Sequence, residues 1–409
     1  MRISSGSVFD TNVSMLNQQQ ASLLHTNQQV ASGRRILTPA DDPAASSSAL
    51  LVSQADGSNN QLGVNRNSVK SSTGMAEAVL QSVTTLISDV KTRAVQAGNG
   101  VLSASDRKSI GSELQGRYDE LISLANSTDG TGNYLFSGFQ GKTIPFVKTA
   151  LGVQYMADDG RRMVQVASSR KMAASDSGSD IFMRVKNGNG TFLTEGNSAN
   201  TGSASIGQGT VTNSTLITGS TYQLNFINPF AYTITETKLN GETLPPVPPE
   251  PEPPYQYASG EAITLPGMHI SIIGTPEQGD AFTVSPSTNE GIFKTLEDLI
   301  TALNTTNPAG DAATNAELTS SLSKAMSGLD RGLDNVLTAR ASLGARLNEL
   351  DSLQATGEDL GLQYKQTLST LQDLDYNKAI SDLNRQTTSL TAAQKSFKQV
   401  ADLSMFNYM

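Results

Sequence analysis

At 409 residues the chain exceeds the usual size of one domain, so two or more are expected. A hydrophobic share of 37%, an aromatic share of 5% and no Trp are lean for a compact globule, yet not poor enough to make the whole chain disordered. The net charge of -9 argues against nucleic acid as a partner, and Arg34-Arg35 and Arg161-Arg162 are isolated basic pairs rather than a patch.

No cysteine occurs, which excludes disulfides, thiolate nucleophiles and sulfur metal ligands, and which suits a protein that works outside the cell. No apolar core follows Arg2 as a cleaved secretory signal requires, so export is expected by a route that needs none. No stretch of 18 apolar residues occurs, and no membrane insertion is expected.

From about Asn12 to Leu37 the chain predicts a helix with a thin seam: Leu16, Leu23, Val30 and Leu37 recur every seventh residue, with polar Gln20, Asn27 and Arg34 beside them. Such a helix is marginal until something packs on it. Thr38-Pro39-Ala40-Asp41-Asp42-Pro43 punctuates it, with Asp42 placed to cap a helix that begins at Pro43. The Asp41-Asp42 pair reads as a cap and a favourable dipole charge rather than a metal or acid/base pair. Leu62, Val69, Ala76, Val83, Val90 and Ala97 then keep a seven-residue step, flanked by Leu80, Ile87 and Ala94, until Gly98-Asn99-Gly100 ends the helix. Ser103 with Asp106 predicts a capping box for the next one, whose inner face is Ile110, Leu114, Tyr118, Leu121 and Ala125.

From about Tyr134 to Glu290 the helical period fades. Short alternating runs at 152–156, 221–226 and 232–235 predict strands, and Asn240-Gly241 predicts a hairpin-type turn. The proline-rich run 245–254 predicts an extended loop at the edge of this β-rich domain. Beyond Gly291 the heptad returns as Leu322, Leu329, Val336, Leu343, Leu350, Gly357, Tyr364 and Leu371, changes phase near Asp375-Tyr376, and resumes with Ile380, Leu383, Leu390, Phe397 and Val400.

The expected fold is α+β and elongated, with terminal coiled-coil helices from both chain ends and an inserted β-rich domain. Its expected divisions are an N-terminal assembly helix (1–42), the first half of a helical rod (43–143), the β-rich domain (144–290), the second half of the rod (291–372) and a C-terminal assembly helix (373–409). Leu16, Leu23, Val30, Ile380, Leu383, Leu390, Phe397 and Val400 are the candidate assembly interface, because narrow seams of this kind are completed by a partner.

Catalysis finds little support. His25 lies in a polar helix, and His269 stands in a strand with no second His beside it, so neither a zinc site nor a Ser–His arrangement is indicated. Gly188-Asn189-Gly190 and Gly207-Gln208-Gly209 lack the Lys-Ser/Thr of a phosphate loop, and Asp158-Asp159 reads as a turn. No catalytic residue, metal or cofactor is expected.

Met1-Arg2-Ile3-Ser4, Ser32-Gly33-Arg34-Arg35-Ile36 followed by Pro39 and Asp41-Asp42-Pro43, Asn133-Tyr134-Leu135-Phe136-Ser137-Gly138, and Asp375-Tyr376 with Ala379, Leu383 and Leu403-Ser404 occur in an order that resembles the hook–filament junction branch of the flagellin superfamily. The resemblance covers roughly the first 145 and last 115 residues. It implies a structural part of the bacterial flagellum, exported unfolded through the flagellar type III apparatus with a chaperone. It also implies assembly with copies of itself, with a hook-associated protein on the hook side and with flagellin on the filament side. Met405 to Met409 match the family's usual terminus only loosely, and the large β insert is not a family hallmark. Two other readings compete: a filament flagellin, and a glycan-binding or adhesive surface protein displayed by its β domain.

Overall fold

The computed structural model describes residues 5–247, 253–305 and 312–402. The opening Met1–Ser4, positions 248–252 of the proline-rich run and the terminal segment from Leu403 lie outside the described residues. Among the described residues there are six α-helices: α1 (Ser5–Ser32), α2 (Pro43–Ala97), α3 (Ala104–Ala125), α4 (Ile292–Thr305), α5 (Ala312–Gln372) and α6 (Tyr376–Asp402). Between α3 and α4 run the strands β1 (Phe146–Thr149), β2 (Gly152–Tyr155), β3 (Met163–Ala167), β4 (Arg170–Ala173), β5 (Val185–Lys186), β6 (Phe192–Gly196), β7 (Ser205–Ile206) and β8 (Thr210–Val211). They are followed by β9 (Thr221–Asn228), β10 (Ala231–Thr237), β11 (Tyr255–Gln256), β12 (Ala262–Leu265), β13 (Met268–Ile273), β14 (Ala281–Pro286) and β15 (Asn289–Glu290). The chain forms two compact units, one of residues 1–65 with 352–409 and one of residues 66–351, so α2 and α5 each contribute to both.

In the larger unit the heptads of α2 and α5 become a shared core. Val69, Val83, Val90 and Ala97 of α2 and Leu329, Val336, Leu343 and Leu350 of α5 are all essentially excluded from solvent. Each such Val or Leu side chain stabilises the fold by roughly 1.5–3 kcal/mol. Ion pairs flank the seam: Lys70 with Asp351 at 2.5 Å, Glu77 with Arg340 at 2.8 Å, and Lys91 with Asp330. Partners rise along α2 as they fall along α5, so the two run antiparallel. The helix α3 begins with the Ser103–Asp106 capping box and buries Ile110, Leu114, Tyr118, Leu121 and Ala125. The amphipathic α4 packs on α3 and meets α5 where a Cβ at Gly328 would stand 2.6 Å from Thr295 Cγ2.

The segment 133–138 is a structural joint. Leu135, Phe136 and Ser137 are buried. At Gly138 φ is 65° and a Cβ would lie 2.3 Å from the Asp158 carbonyl, so only glycine fits. Phe136, Phe146, Phe182 and Phe293 then form one aromatic cluster with ring centroids 5.1–5.9 Å apart. Phe182 reaches it from a single π-helical turn, Ser179–Met183.

The β-rich part has its own core. A five-stranded sheet in the order β11-β10-β9-β14-β6 faces a smaller one in the order β12-β13-β7, with β8 also on β13. Alternate residues Tyr222, Leu224 and Phe226 of β9 pack with Ile263, Leu265, Ile270, Ile272, Phe282 and Val284. Asn240-Gly241 makes the expected turn, with Gly241 at φ 83° and its N–H donating to the Lys238 carbonyl.

Candidate assembly surface

Within the smaller unit α1 and α6 pair with each other. Phe9 meets Phe397 at 5.2 Å between ring centroids, Gln19 Nε2 reaches Ser389 Oγ at 3.4 Å, and Gly33 lies against Tyr376. Partner numbers fall on α6 as they rise on α1, so the pair is antiparallel. Leu16, Leu23 and Val30 of α1 and Leu383, Leu390 and Phe397 of α6 are half-buried, while Val400 belongs to α6 with its side chain outside the description.

Ile380 stands apart from these positions. It is 47% exposed, and its neighbour Ala379 is 5% exposed. The reason is the period: the covered positions of α6 run Ala379, Leu383, Gln386, Leu390, Ala393 and Phe397, alternating steps of four and three, and Ile380 breaks that alternation. On α1 the same alternation selects Asn12, Leu16, Gln19, Leu23, Thr26, Val30 and Gly33, so the row beside the leucines is Gln19 and Thr26, while Gln20, Asn27 and Arg34 are exposed. Phe9 extends the leucine row one heptad earlier; the step of seven back from Leu16 is the signal that finds it.

Every second layer of this seam is polar or small, and two of its atoms have no protein partner. Gln19 Oε1 and Gln386 Oε1 are buried with no hydrogen-bond partner. Around them Met15, Gln18, Ser22 and Ser389 complete an open groove between the helices.

The turns joining α1 to α2 and α5 to α6 are bonded to one another. Arg35 N–H donates to the Gln372 carbonyl at 2.7 Å and Leu374 N–H to the Gly33 carbonyl at 3.0 Å, which together make an isolated antiparallel β-bridge of the backbone at Arg34 and Asp373. Arg35 also donates to the Leu371 carbonyl and to Asp42. Asp42 does cap α2, accepting from Ala45 N–H at 3.0 Å. That bond, then the one from Arg35, holds its carboxyl below the usual range. Asp41 does something else: it accepts from Thr38 and Leu37 N–H groups and pairs with His25 Nε2 at 3.0 Å, tying the turn back onto α1. The Thr38 N–H is the chief cause of its lowered pKa.

What this unit lacks is a core. Among its described residues, the buried apolar side chains are Ala49 and Ala379, whereas Met15, Leu24, Leu50, Leu51, Val64 and Leu362 are all more than half exposed. Two alanines bury too little area to offset the ordering of four helical segments.

Among the described residues no group of three or more His, Asp or Glu could hold a metal ion, and no helix is long and apolar enough to cross a membrane. His269 lies exposed on β13 opposite Thr264.

The profile of the bacterial flagellin N-terminal helical region matches residues 3–141. Flagellar hook-associated protein 3 of Escherichia coli K12 is 29% identical over 99% of this chain and 99% of its own length. The crystal structure of Xanthomonas campestris FlgL superposes with a TM-score of 0.70 at 30% identity, covering 78% of this chain and 99% of that one. The flagellar junction protein FlgL of Legionella pneumophila does so with a TM-score of 0.70 at 29% identity, covering 80% and 100%. Flagellins of Salmonella match at 32% identity over 117 residues, 29% of this chain and 23% of their own length, which is too short a match to carry the filament reading. The match to the E. coli relative, by contrast, runs through helices, β insert and terminal unit alike. The chain belongs to the flagellar hook-associated protein 3, or FlgL, family.

Proposed function

We propose that this chain is the adaptor of the hook–filament junction, a structural part of the bacterial flagellum on which filament attachment and motility depend. Copies of it assemble together, a hook-associated protein lies on the hook side, and flagellin takes its seat on the filament side. The chain works outside the cell, delivered unfolded by the flagellar type III apparatus with an export chaperone, and uses no cofactor, catalytic residue, nucleic acid or membrane.

The observation that carries this reading is the coreless terminal unit. Helices whose covered face is one apolar row beside a polar or small one gain most of their order from neighbours, and here the described apolar residues left outside outnumber those fully buried. Contacts between identical subunits around a tube are head-to-tail and would propagate, so an adaptor must offer different surfaces above and below.

Leu16, Leu23, Val30, Ile380, Leu383, Leu390, Phe397 and Val400 are the assembly seams of this proposal. Leu23→Asp puts a charge into a half-buried layer; the variant is expected to be exported and to keep a folded β domain, yet to be absent from isolated hook–basal bodies. Normal incorporation of Leu23→Asp would remove the seam from the account.

A further inference from the structure

The larger unit contains two hydrophobic cores with no residue in common, one built on α2 to α5 and the 135–185 segment, the other inside the two facing sheets. Two chain crossings connect them, the one leaving β5 and the one returning to β15. The crossings form a narrow ribbon: β5 pairs with β15, Asn187 N–H donates to the Thr288 carbonyl at 3.1 Å, and Asn187 Oδ1 accepts from Thr288 N–H at 2.9 Å. The ribbon is well bonded, but a two-stranded ribbon resists stretching far better than bending.

The rest of the boundary is polar. Lys324 on α5 pairs with Glu195 on β6 at 2.5 Å, Gln208 donates to the Ser323 carbonyl, and Arg331 donates to the Asn189 carbonyl. Lys324 and Glu195 remain 32% and 44% exposed. On either side of Lys324 lies a cavity. One of about 160 Å³ is bordered by Asn197, Ser205 and Ser320, and one of about 180 Å³ by Glu290, Asp298 and Gly328. Each has mixed polar and apolar walls, Phe282 and Ala316 among those of the first and Ala325 of the second, and room for several waters, since a water occupies roughly 30 Å³. A close-packed boundary would hold the β domain by shape; this one holds it by a few polar bonds, two half-buried and one exposed, each weak alone.

We infer that the β domain rides on a wet hinge, with the β5–β15 ribbon as its axis and the Lys324–Glu195 pair as its latch. The helical core keeps its register through the Glu77–Arg340 and Arg346–Asp176 pairs, which lie away from this boundary. Opening therefore moves the β domain as a body and leaves the helices in place. The inference stands independently of the assembly reading.

The absence of cysteine makes the test direct. Spin labels at Ser112→Cys on α3 and Asn240→Cys on the β10 turn report the hinge in the full-length chain, and labels at Ser112→Cys and Ser88→Cys report the helical core alone. The unaltered latch gives one dominant distance across the hinge. Lys324→Glu, which faces Glu195 with a second carboxylate, loses that single peak, and Lys324→Glu with Glu195→Lys regains it, while the core pair keeps its peak throughout. If Lys324→Glu disturbs the core pair, Lys324→Gln serves in its place and loses the same peak. A hinge distance that keeps its wild-type peak in a well-folded Lys324 variant, or that the charge swap fails to restore, overturns the inference.

Discussion

Removing the unsatisfied carbonyl at Gln386 should stabilise the α1–α6 pair. Its Oε1 is buried without a partner in a covered layer between Leu383 and Leu390, and an acceptor left in that state costs about 1–3 kcal/mol. In Gln386→Leu that penalty disappears and a few methylene groups gain apolar neighbours at ~0.8 kcal/mol each. A net gain of ~2 kcal/mol corresponds to local opening of the pair reduced by roughly 30-fold. Amide hydrogen exchange on the full-length monomer reads this directly: amides of α1 and α6 should slow by that order, while those of α3, in the other unit, should not change. Unchanged or faster exchange in α1 would show that the polar layer is not what keeps the pair marginal.

Other consequences follow from the same contacts. Asp41 and Asp42 both have folded pKa values below the ordinary 3.8; their contribution to the joint between α1 and α2 is therefore fully present above about pH 4 and is lost as the pH falls through their lowered values. Helicity of the terminal unit should drop in acid below pH 4, and Asp41→Asn should flatten part of that dependence. Gly328→Ala should destabilise the larger unit, because its Cβ would stand 2.6 Å from Thr295 Cγ2, and Thr295→Ala should rescue it in a thermal melt. Phe182→Ala opens a hole among Phe136, Phe146 and Phe293 and should cost about 3–5 kcal/mol, read as a lower midpoint of the larger unit's denaturant transition.

The helices were legible because their period is local. The five inward residues of α3 could be named from steps of three and four, and the capping box at Ser103 from a four-residue window. The end of α2 was marked by Gly98, whose N–H caps the Ala94 carbonyl. Strands such as β9 and β10 showed their alternation, but that β14 inserts between β9 and β6 takes pairings across about sixty and about ninety residues and leaves no local trace. The division between the two compact units falls within the α2 and α5 sequences, at 65/66 and 351/352, where neither sequence has a break; what differs is how well the heptad is covered, with Val69 sealed and Leu62 half-buried.

On the terminal helices the sequence distinguished the leucine row but not the row beside it. Gln19 and Gln20 both satisfy a heptad with Leu16 and Leu23, and a four-three or three-four choice is made by the partner helix. Ala379, named by the resemblance, was left out of the seven-residue row that Ile380 opens for a related reason: size marks a residue as apolar, whereas the covered position on α6 takes the small one. Asp41 read as a dipole charge, since its bonds to His25 and the Leu37 and Thr38 amides depend on a turn whose geometry the sequence leaves open.

The most direct test of the account is deletion of the gene in its own bacterium, with electron microscopy of the cells and a blot for flagellin in the medium. The account predicts hooks without filaments and flagellin shed into the medium, restored by the intact chain. Normal filaments on the deleted strain would contradict it, and hooks with no flagellin anywhere would make this chain the filament subunit instead.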